Sequence, residues 1–268
     1  MNEMVILITG ISSGFGLAMA RQLHADGHAV YGTVRRDVPQ IPGVQYIRAD
    51  VRDTASVQAA VAAVLAAEGH IDVLINNAGM GIGGPVEFAP EADVQLQMDT
   101  NFLGQVRFTQ AVLPAMRRQG SGKILCFSSI GGVMGLPFQG FYSASKFAVE
   151  GFCEALQVEV RRHGIQVVLI EPGDFSTGFT ASRIKQVSDE AVAAYPSLQR
   201  AVSSFEQDER TGLKPEFLAR KVAKIIRCRH PKFRYVIATL IQRLSIPLKR
   251  LLPARAFIRV LSLFYKVK

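Results

Sequence analysis

Tyr142 and Lys146 stand four residues apart. On a helix that spacing sets both side chains on one face, with Cβ atoms ~5–6 Å apart. A phenol with an ordinary pKa near 10 transfers protons poorly at neutral pH. An ammonium beside it stabilises the phenolate and makes the tyrosine a usable acid and base. A Tyr-x-x-x-Lys pair alone is common by chance, so its surroundings must supply the meaning. Ser128-Ser129 closes the apolar segment before the pair. If that segment is a strand, Ser129 lies at the carboxyl edge of a sheet, where ligands bind in α/β proteins.

A second constellation lies near the start, in Thr9-Gly10-Ile11-Ser12-Ser13-Gly14-Phe15-Gly16. Glycines allow a tight turn and let backbone approach a pyrophosphate with no Cβ between them. A helix beginning there offers free N–H groups and a partial positive charge to phosphates. About twenty residues on, where a carboxylate would hold an adenosine ribose, the chain has Val34-Arg35-Arg36. Guanidinium groups pair with phosphate in charge-assisted bonds, whereas an acid repels it. The pair therefore favours NADP(H) over NAD(H), the plainer alternative being two solvated loop arginines. Asp50-Val51 suits contact with an adenine, although Asp50 is equally suited to capping a turn.

These groups need a scaffold, and the hydrophobic pattern provides one. Short apolar runs predict strands over Met4–Thr9, His28–Val34, Val44–Ala49, Ile71–Asn76, Lys123–Ser128 and Ile165–Glu171, with a last one over Lys232–Ala238. Helical spacing fills the intervals: Gly14–Asp26, Thr54–Glu68, around Val94–Arg118, Phe141–His163, and from Pro215 to about Arg229. Strands separated by helices of this length imply a single α/β domain, a doubly wound parallel (Rossmann) sheet over residues 1–238. Ser176–Thr211, rich in Ser, Ala and charge, reads as an irregular lid over the substrate. A basic, apolar C-terminal extension occupies 239–268.

Together these residues resemble the short-chain dehydrogenase/reductase family. The matching elements are Thr9–Gly16, Asp50, Asn76-Asn77-Ala78-Gly79, Asn101, Ser129, Tyr142-x-x-x-Lys146 and Pro172-Gly173 with Thr177, in order over roughly residues 4–178. The thirteen positions from Ser129 to Tyr142 are also the family's usual interval. The Arg35-Arg36 pair, the Glu171–Thr177 segment and the long extension look most like the hydroxysteroid and retinol dehydrogenase branch. The resemblance implies that Tyr142 exchanges the substrate's hydroxyl proton, Ser129 polarises the carbonyl, and Lys146 lowers the tyrosine pKa and holds the nicotinamide ribose. It implies that Asn101 interrupts its helix and positions a water linking Lys146 to solvent. Gly10, Ser12, Ser13, Gly14, Phe15 and Gly16, with Arg35, Arg36, Asp50 and Val51, would hold the nucleotide. Asn77-Ala78-Gly79 would wall the site, and Thr177 would contact the carboxamide after Pro172-Gly173. Phe15 departs from the family's aliphatic residue, with little consequence expected because its contribution there is backbone.

Met134, Phe138 and Phe141 border Tyr142 on one side, and Phe175 and Phe179 follow the proline. They suggest a pocket for a lipophilic ketone or alcohol (steroid-, retinoid- or long-chain-like). Packing into the core or a dimer interface is the competing reading. The long helices suggest a homodimer. A non-catalytic NADP(H) sensor or membrane-surface scaffold is the alternative to an enzyme, and the intact Asn101, Ser129, Tyr142 and Lys146 set argues against it.

Composition bounds the rest. With 268 residues, 49% hydrophobic, the chain can fill a core and is not disordered. Cys126, Cys153 and Cys228 are too scattered for a disulfide framework, and the five histidines show no metal spacing. Asp72, Asp93 and Asp99 read as helix caps or solvated acids. The N-terminus lacks a secretory pattern and no apolar run reaches ~18 residues, so a cytoplasmic protein, peripheral at a membrane at most, is expected. The net charge of +9 is uneven: residues 210–268 carry 16 Lys and Arg against one acid, Glu216. Phe257, Val260, Leu261 and Phe264 recur at helical spacing, with Arg255, Arg259, Ser262 and Lys266 on another face. That pattern suits a membrane surface, or packing on the protein with the bases solvated. No aromatic-rich module points to nucleic acid.

Overall fold

A computed structural model describes residues 3–267. Seven strands form one parallel sheet: β1 (Val5–Ile8), β2 (Ala29–Val34), β3 (Gln45–Arg48), β4 (Val73–Asn76), β5 (Gly122–Phe127), β6 (Ile165–Pro172) and β7 (Arg234–Ile237). Their spatial order is β3-β2-β1-β4-β5-β6-β7. The chain winds outward from β1 to β3, then returns beside β1 at β4 and winds the other way. Ligands bind at the carboxyl ends of the strands beside such a reversal. Every pairing is parallel, with Ile6 opposite both Val30 and Val73. All four residues of β1 and of β4 are buried, as continuous apolar runs must be when helices cover both faces.

Alternation along the strands divides the core. Ile6 and Ile8 face α1 (Gly14–Ala25) and the later helix Pro215–Arg227. Val5 and Leu7 face α2 (Thr54–Glu68), together with the helices before and after β5. Asp53 caps α2 through the N–H groups of Ala55 and Ser56, and Gly69 ends it in a left-handed conformation.

The predicted helix around Val94–Arg118 is interrupted. It comprises α3 (Glu91–Met98), a π-helical turn over Asp99–Leu103 and α4 (Gly104–Gln119). The predicted Phe141–His163 is α5 (Gly140–Val160) with a 3-10 turn to His163. Ser176–Thr211 is not irregular: it holds α6 (Phe179–Ser182), α7 (Asp189–Ala194) and α8 (Leu198–Arg210). Leu198, Ala201, Val202 and Phe205 are buried on one stripe of α8, which offsets the poor helix propensity of its serines. Ile184–Lys185 within this segment pairs with Ile82–Gly83. After α9 (Pro215–Arg227) and β7 come α10 (Leu240–Leu251) and α11 (Ala254–Phe264).

The extension does two things at once. Phe257 and Tyr265 are buried, whereas Leu251 and Leu263 are 81% and 79% exposed beside exposed Leu240, Ile241, Leu244 and Ile258. Phe264 and Val260, expected on the apolar stripe with Phe257, are exposed. Lys249 turns inward, its Nζ bonding the Val133 carbonyl and lying 5.0 Å from the Phe147 ring centre. No helix among the described residues is long and apolar enough to cross a membrane. Cys126 and Cys153 are buried and Cys228 exposed. Among the described residues no group of three or more His, Cys, Asp or Glu gathers as a metal site. Asp72 caps no helix. It accepts the Val5 N–H at 2.8 Å and lies 3.3 Å from His70. Asp99 pairs with Arg107 at 2.7 Å, and Asp93, in the first turn of α3, accepts from the Gln186 amide.

Candidate active site

A single cavity runs along the carboxyl ends of the strands from the glycine loop to the base of α5. Gly10 and Gly14 have φ of +73° and +54°, backbone that side chains rarely adopt. A Cβ on Gly16 would stand 2.1 Å from the Gly10 carbonyl oxygen, so only glycine lets the helix start this close to the turn. Asn77 and Thr9 lock the loop. The Asn77 amide donates to the Thr9 and Gly10 carbonyls at 2.9 and 3.0 Å, and Thr9 Oγ1 accepts from the Asn77 and Ala78 N–H groups. Ser13 precedes α1 with extended backbone and makes no side-chain cap. The N-terminal N–H groups of that helix are thus left for a ligand.

The lining includes Gly10, Ser12, Ser13, Gly14 and Phe15 from the first loop, and Arg35, Asp50 and Val51 beyond β2 and β3. Gly16 lies beneath it. Arg36 also lies off the lining: the strand ends at Val34, and the bend over Arg35 and Arg36 puts only Arg35 at the cavity. Phe15 does more than provide backbone: its ring packs edge-on against Phe175 at 4.9 Å and lies 6.0 Å from Phe127. Asp50 is clamped by the Arg52 guanidinium at 2.6 Å, whose hydrogen bonds hold its carboxyl below the usual range.

At the other end, Ser129 caps a 3-10 turn with Oγ accepting from Gly131 N–H at 3.0 Å. A Cβ on Gly131 would lie 3.3 Å from the Tyr142 ring and 3.5 Å from Ser129 Oγ, so the absent side chain lets phenol and hydroxyl close together. Lys146 is buried, donates to the Phe127 carbonyl at 2.9 Å, and its Nζ lies 5.8 Å from the Tyr142 ring centre. Burial pushes the Tyr142 phenol up to about 12 while its hydrogen bond with Ser129 pulls the other way. Burial also brings the Lys146 ammonium down to about 8.

Asn101 sits in the π-helical turn, off the lining. Its amide donates to the Met80 carbonyl at 2.9 Å and to Ser145 Oγ at 3.1 Å, and its Oδ1 accepts the Met80 N–H at 2.8 Å. The extra residue in that turn carries this side chain inward. Gln105, unremarked in the sequence, donates to the carbonyls of Asn101 and Phe127, both at 3.0 Å. It ties the turn to the carbonyl that also holds Lys146.

Asn77, Ala78 and Gly79, then Pro172, Gly173 and Thr177, line the middle of the cavity. Among the residues expected at the substrate, Phe175 and Phe179 line it; Met134, Phe138 and Phe141 do not. Met134 is buried, within 3.8 Å of Ser245 on α10. Phe138 packs edge-on against Tyr195 of the α7–α8 cluster. The outer wall comes from residues with no motif to mark them. Arg183, buried, pairs with Glu209 and lies between the rings of Phe179 and Phe205 at 5.3 and 4.7 Å. Asp174 and Tyr265 complete it.

A parallel sheet reversing at β1, a glycine-rich phosphate turn and a Tyr-Lys pair, its lysine buried, beside a serine define a nucleotide-dependent oxidoreductase. The chain belongs to the short chain dehydrogenase family, whose profile matches residues 4–188, and within it to the hydroxysteroid and retinol dehydrogenase-like branch. It is 46% identical over 269 residues to a 3-ketodihydrosphingosine reductase of Bacteroides thetaiotaomicron, covering all of both chains. It is 44% identical over 195 residues to human 17-beta-hydroxysteroid dehydrogenase type 1, spanning 67% of this chain and 59% of that one. A short-chain dehydrogenase from Streptomyces avermitilis has the same fold, with a TM-score of 0.82 and 28% identity over 99% of this chain and 97% of that one. The protein is thus an oxidoreductase of CH–OH and C=O groups using a nicotinamide cofactor. Its residues fit that group: a Cβ on Gly10 would press to 3.1 Å on Ala78, and the uncapped start of α1 faces the same cavity.

Proposed function

We propose that the protein is an NADP(H)-dependent reductase converting a lipophilic ketone or aldehyde, steroid-, retinoid- or long-chain-like, into its alcohol. The observation that carries this reading is one cavity with Arg35 at one end, Ser129, Tyr142 and Lys146 at its base, and Phe175, Phe179 and Phe205 on its wall. A bound nicotinamide supplies the hydride. Tyr142 gives its proton to the oxygen, Ser129 donates a hydrogen bond to that oxygen, and Lys146 offsets the phenolate charge that remains. Asn101 and Gln105 position the elements that carry Lys146.

Turnover of steroid, retinoid, long-chain and small polar carbonyls with NADPH and NADH side by side tests the proposal. Lipophilic carbonyls with NADPH are expected to be fastest, and preference for small polar ones overturns the reading. A charge-assisted bond contributes about 1.5–3 kcal/mol. Arg35→Ala is therefore expected to lower the preference for NADPH over NADH by about tenfold or more.

The pH profile has a defined sign. Below about 8 Lys146 is charged and favours the phenolate left by proton donation; above it that help is lost, while Tyr142 keeps its proton to about 12. The kcat/KM for reduction is expected to be level to about pH 8 and then fall. A level profile to pH 10 would count against the role of Lys146.

The exposed leucines of α10 and α11 accompany Arg243, Arg250, Arg255 and Arg259, with no acid in either helix. This supports peripheral contact with an anionic bilayer. Flotation with phosphatidylserine vesicles is expected for the wild type and lost in Leu251→Glu/Leu263→Glu; equal flotation of both removes the contact. Leu103, Phe147 and Val158, exposed in the π turn and on α5, support a homodimer across that face.

A further inference from the structure

The outer wall contains more negative charge than it compensates. Arg183 commits its two terminal nitrogens to Glu209, and Thr180 Oγ1 also donates to that carboxylate at 2.5 Å. Asp174, on the same lining, forms no ion pair among the described residues. It accepts one side-chain bond, from the Gln242 amide of α10. Its backbone is held by Gln242 Oε1 at N–H and by the Leu213 N–H at C=O, which keeps the residue on this wall. Burial, and then the facing carboxylates Glu209 and Asp208, push Asp174 up to about 7, with Arg183 opposing. Asp174 and Glu209 also raise the Tyr142 phenol, which places both within electrostatic reach of the proton donor.

An independent feature lies beside it. Tyr265 is only 8% exposed and lines the cavity, yet its hydroxyl makes no hydrogen bond among the described residues. Asp174 is the foremost charge acting on that phenol. A phenol oxygen on a cavity wall can accept a further hydrogen bond from whatever occupies the cavity.

We propose that Asp174 and Tyr265 receive a primary ammonium carried a few bonds from the substrate carbonyl, so that the preferred substrates are long-chain amino ketones rather than neutral ones. This rests on the carbonyl-reductase reading of Tyr142. The ammonium satisfies the Asp174 carboxylate and places an N–H on the phenol oxygen of Tyr265. Its charge also cancels the field that holds the Tyr142 proton, so the amine acts on kcat as well as KM. The chain of such a substrate lies along Phe175, Phe179 and Phe205.

The test uses the full chain with NADPH and three ketones of equal length: a 2-amino-3-ketone, its N-acetyl derivative and the desamino ketone. The wild type is expected to favour the amino ketone over both others by about tenfold or more in kcat/KM. In Asp174→Asn the amino-to-desamino ratio is expected to fall at least tenfold, and in Tyr265→Phe about threefold. Equal kcat/KM for the three ketones in the wild type, or an unchanged ratio in Asp174→Asn, overturns the proposal. Calorimetric binding of dodecylamine against dodecanol separates this from the reading beneath it, because neither is a carbonyl. Tighter binding of the amine, lost in Asp174→Asn, supports the ammonium site even if no ketone is reduced. Equal binding of both overturns it even if neutral ketones turn over.

Discussion

Tyr142→Phe is expected to lower turnover by about 10²–10⁴-fold in both directions, the range ascribed to a positioned acid or base. The substitution retains the ring, which packs 5.9 Å from Phe179 and 5.8 Å from Lys146 Nζ, and removes only the oxygen. The fold and the nucleotide end of the cavity are left intact, so NADPH binding, followed by fluorescence titration, is expected to stay near the wild-type value. Ser129 cannot substitute, because its hydroxyl is fixed at the cap of its own turn and has no base behind it. Unchanged turnover would remove Tyr142 from the chemistry.

Arg234→Met is expected to destabilise the protein by about 3 kcal/mol or more, the cost of leaving buried charge unpaired. Arg234 Nη1 bonds both Glu150 and Glu171, the latter at 2.7 Å, while Nη2 reaches Glu154 at 2.6 Å. The first two carboxylates are almost wholly enclosed. Burial pushes Glu150 up to about 7 and also raises Glu171; a hydrogen bond with Ser128 and then Arg234 pull Glu150 back, and Arg234 leads in pulling Glu171 back. An acid whose folded pKa is raised stabilises the fold below its ordinary pKa, and that contribution is lost as pH rises through the folded value. The deficit of the variant is therefore expected to be greatest near pH 8 and to shrink towards pH 5, where both acids can take protons. Thermal melting followed by circular dichroism should show a gap of roughly 6–12 °C at pH 8. A gap independent of pH would contradict the cause. Glu150 follows Lys146 by one turn and Glu171 precedes Pro172, so the same cluster fixes two walls of the active site.

Most of the scaffold was legible because burial on both faces writes strands as unbroken apolar runs, and because Asp53 and Gly69 bracket an alanine-rich helix. The Ser129, Tyr142 and Lys146 set was legible because sequence spacing and spatial spacing coincide at a strand end and on one helix face. The π turn was not. Asn101, the third residue of that turn, bonds the Met80 backbone, which only the folded chain brings to it. The stripe Leu198, Ala201, Val202 and Phe205 was present in the sequence but hidden by the polar composition around it. Phe175 and Phe179 could be placed through their nearness to Pro172-Gly173. No spacing rule joins Asp174, Arg183, Glu209 and Tyr265, which meet only because α8 and α11 fold back over the sheet.

Tyr265 has a practical bearing on how the protein can be handled and altered. The family profile ends at residue 188, while Phe205, Glu209 and Tyr265 all lie beyond it and all face the cavity. Exchanging the segment after Gly178 between related chains should therefore transfer substrate preference while leaving the proton donor and the nucleotide turn untouched.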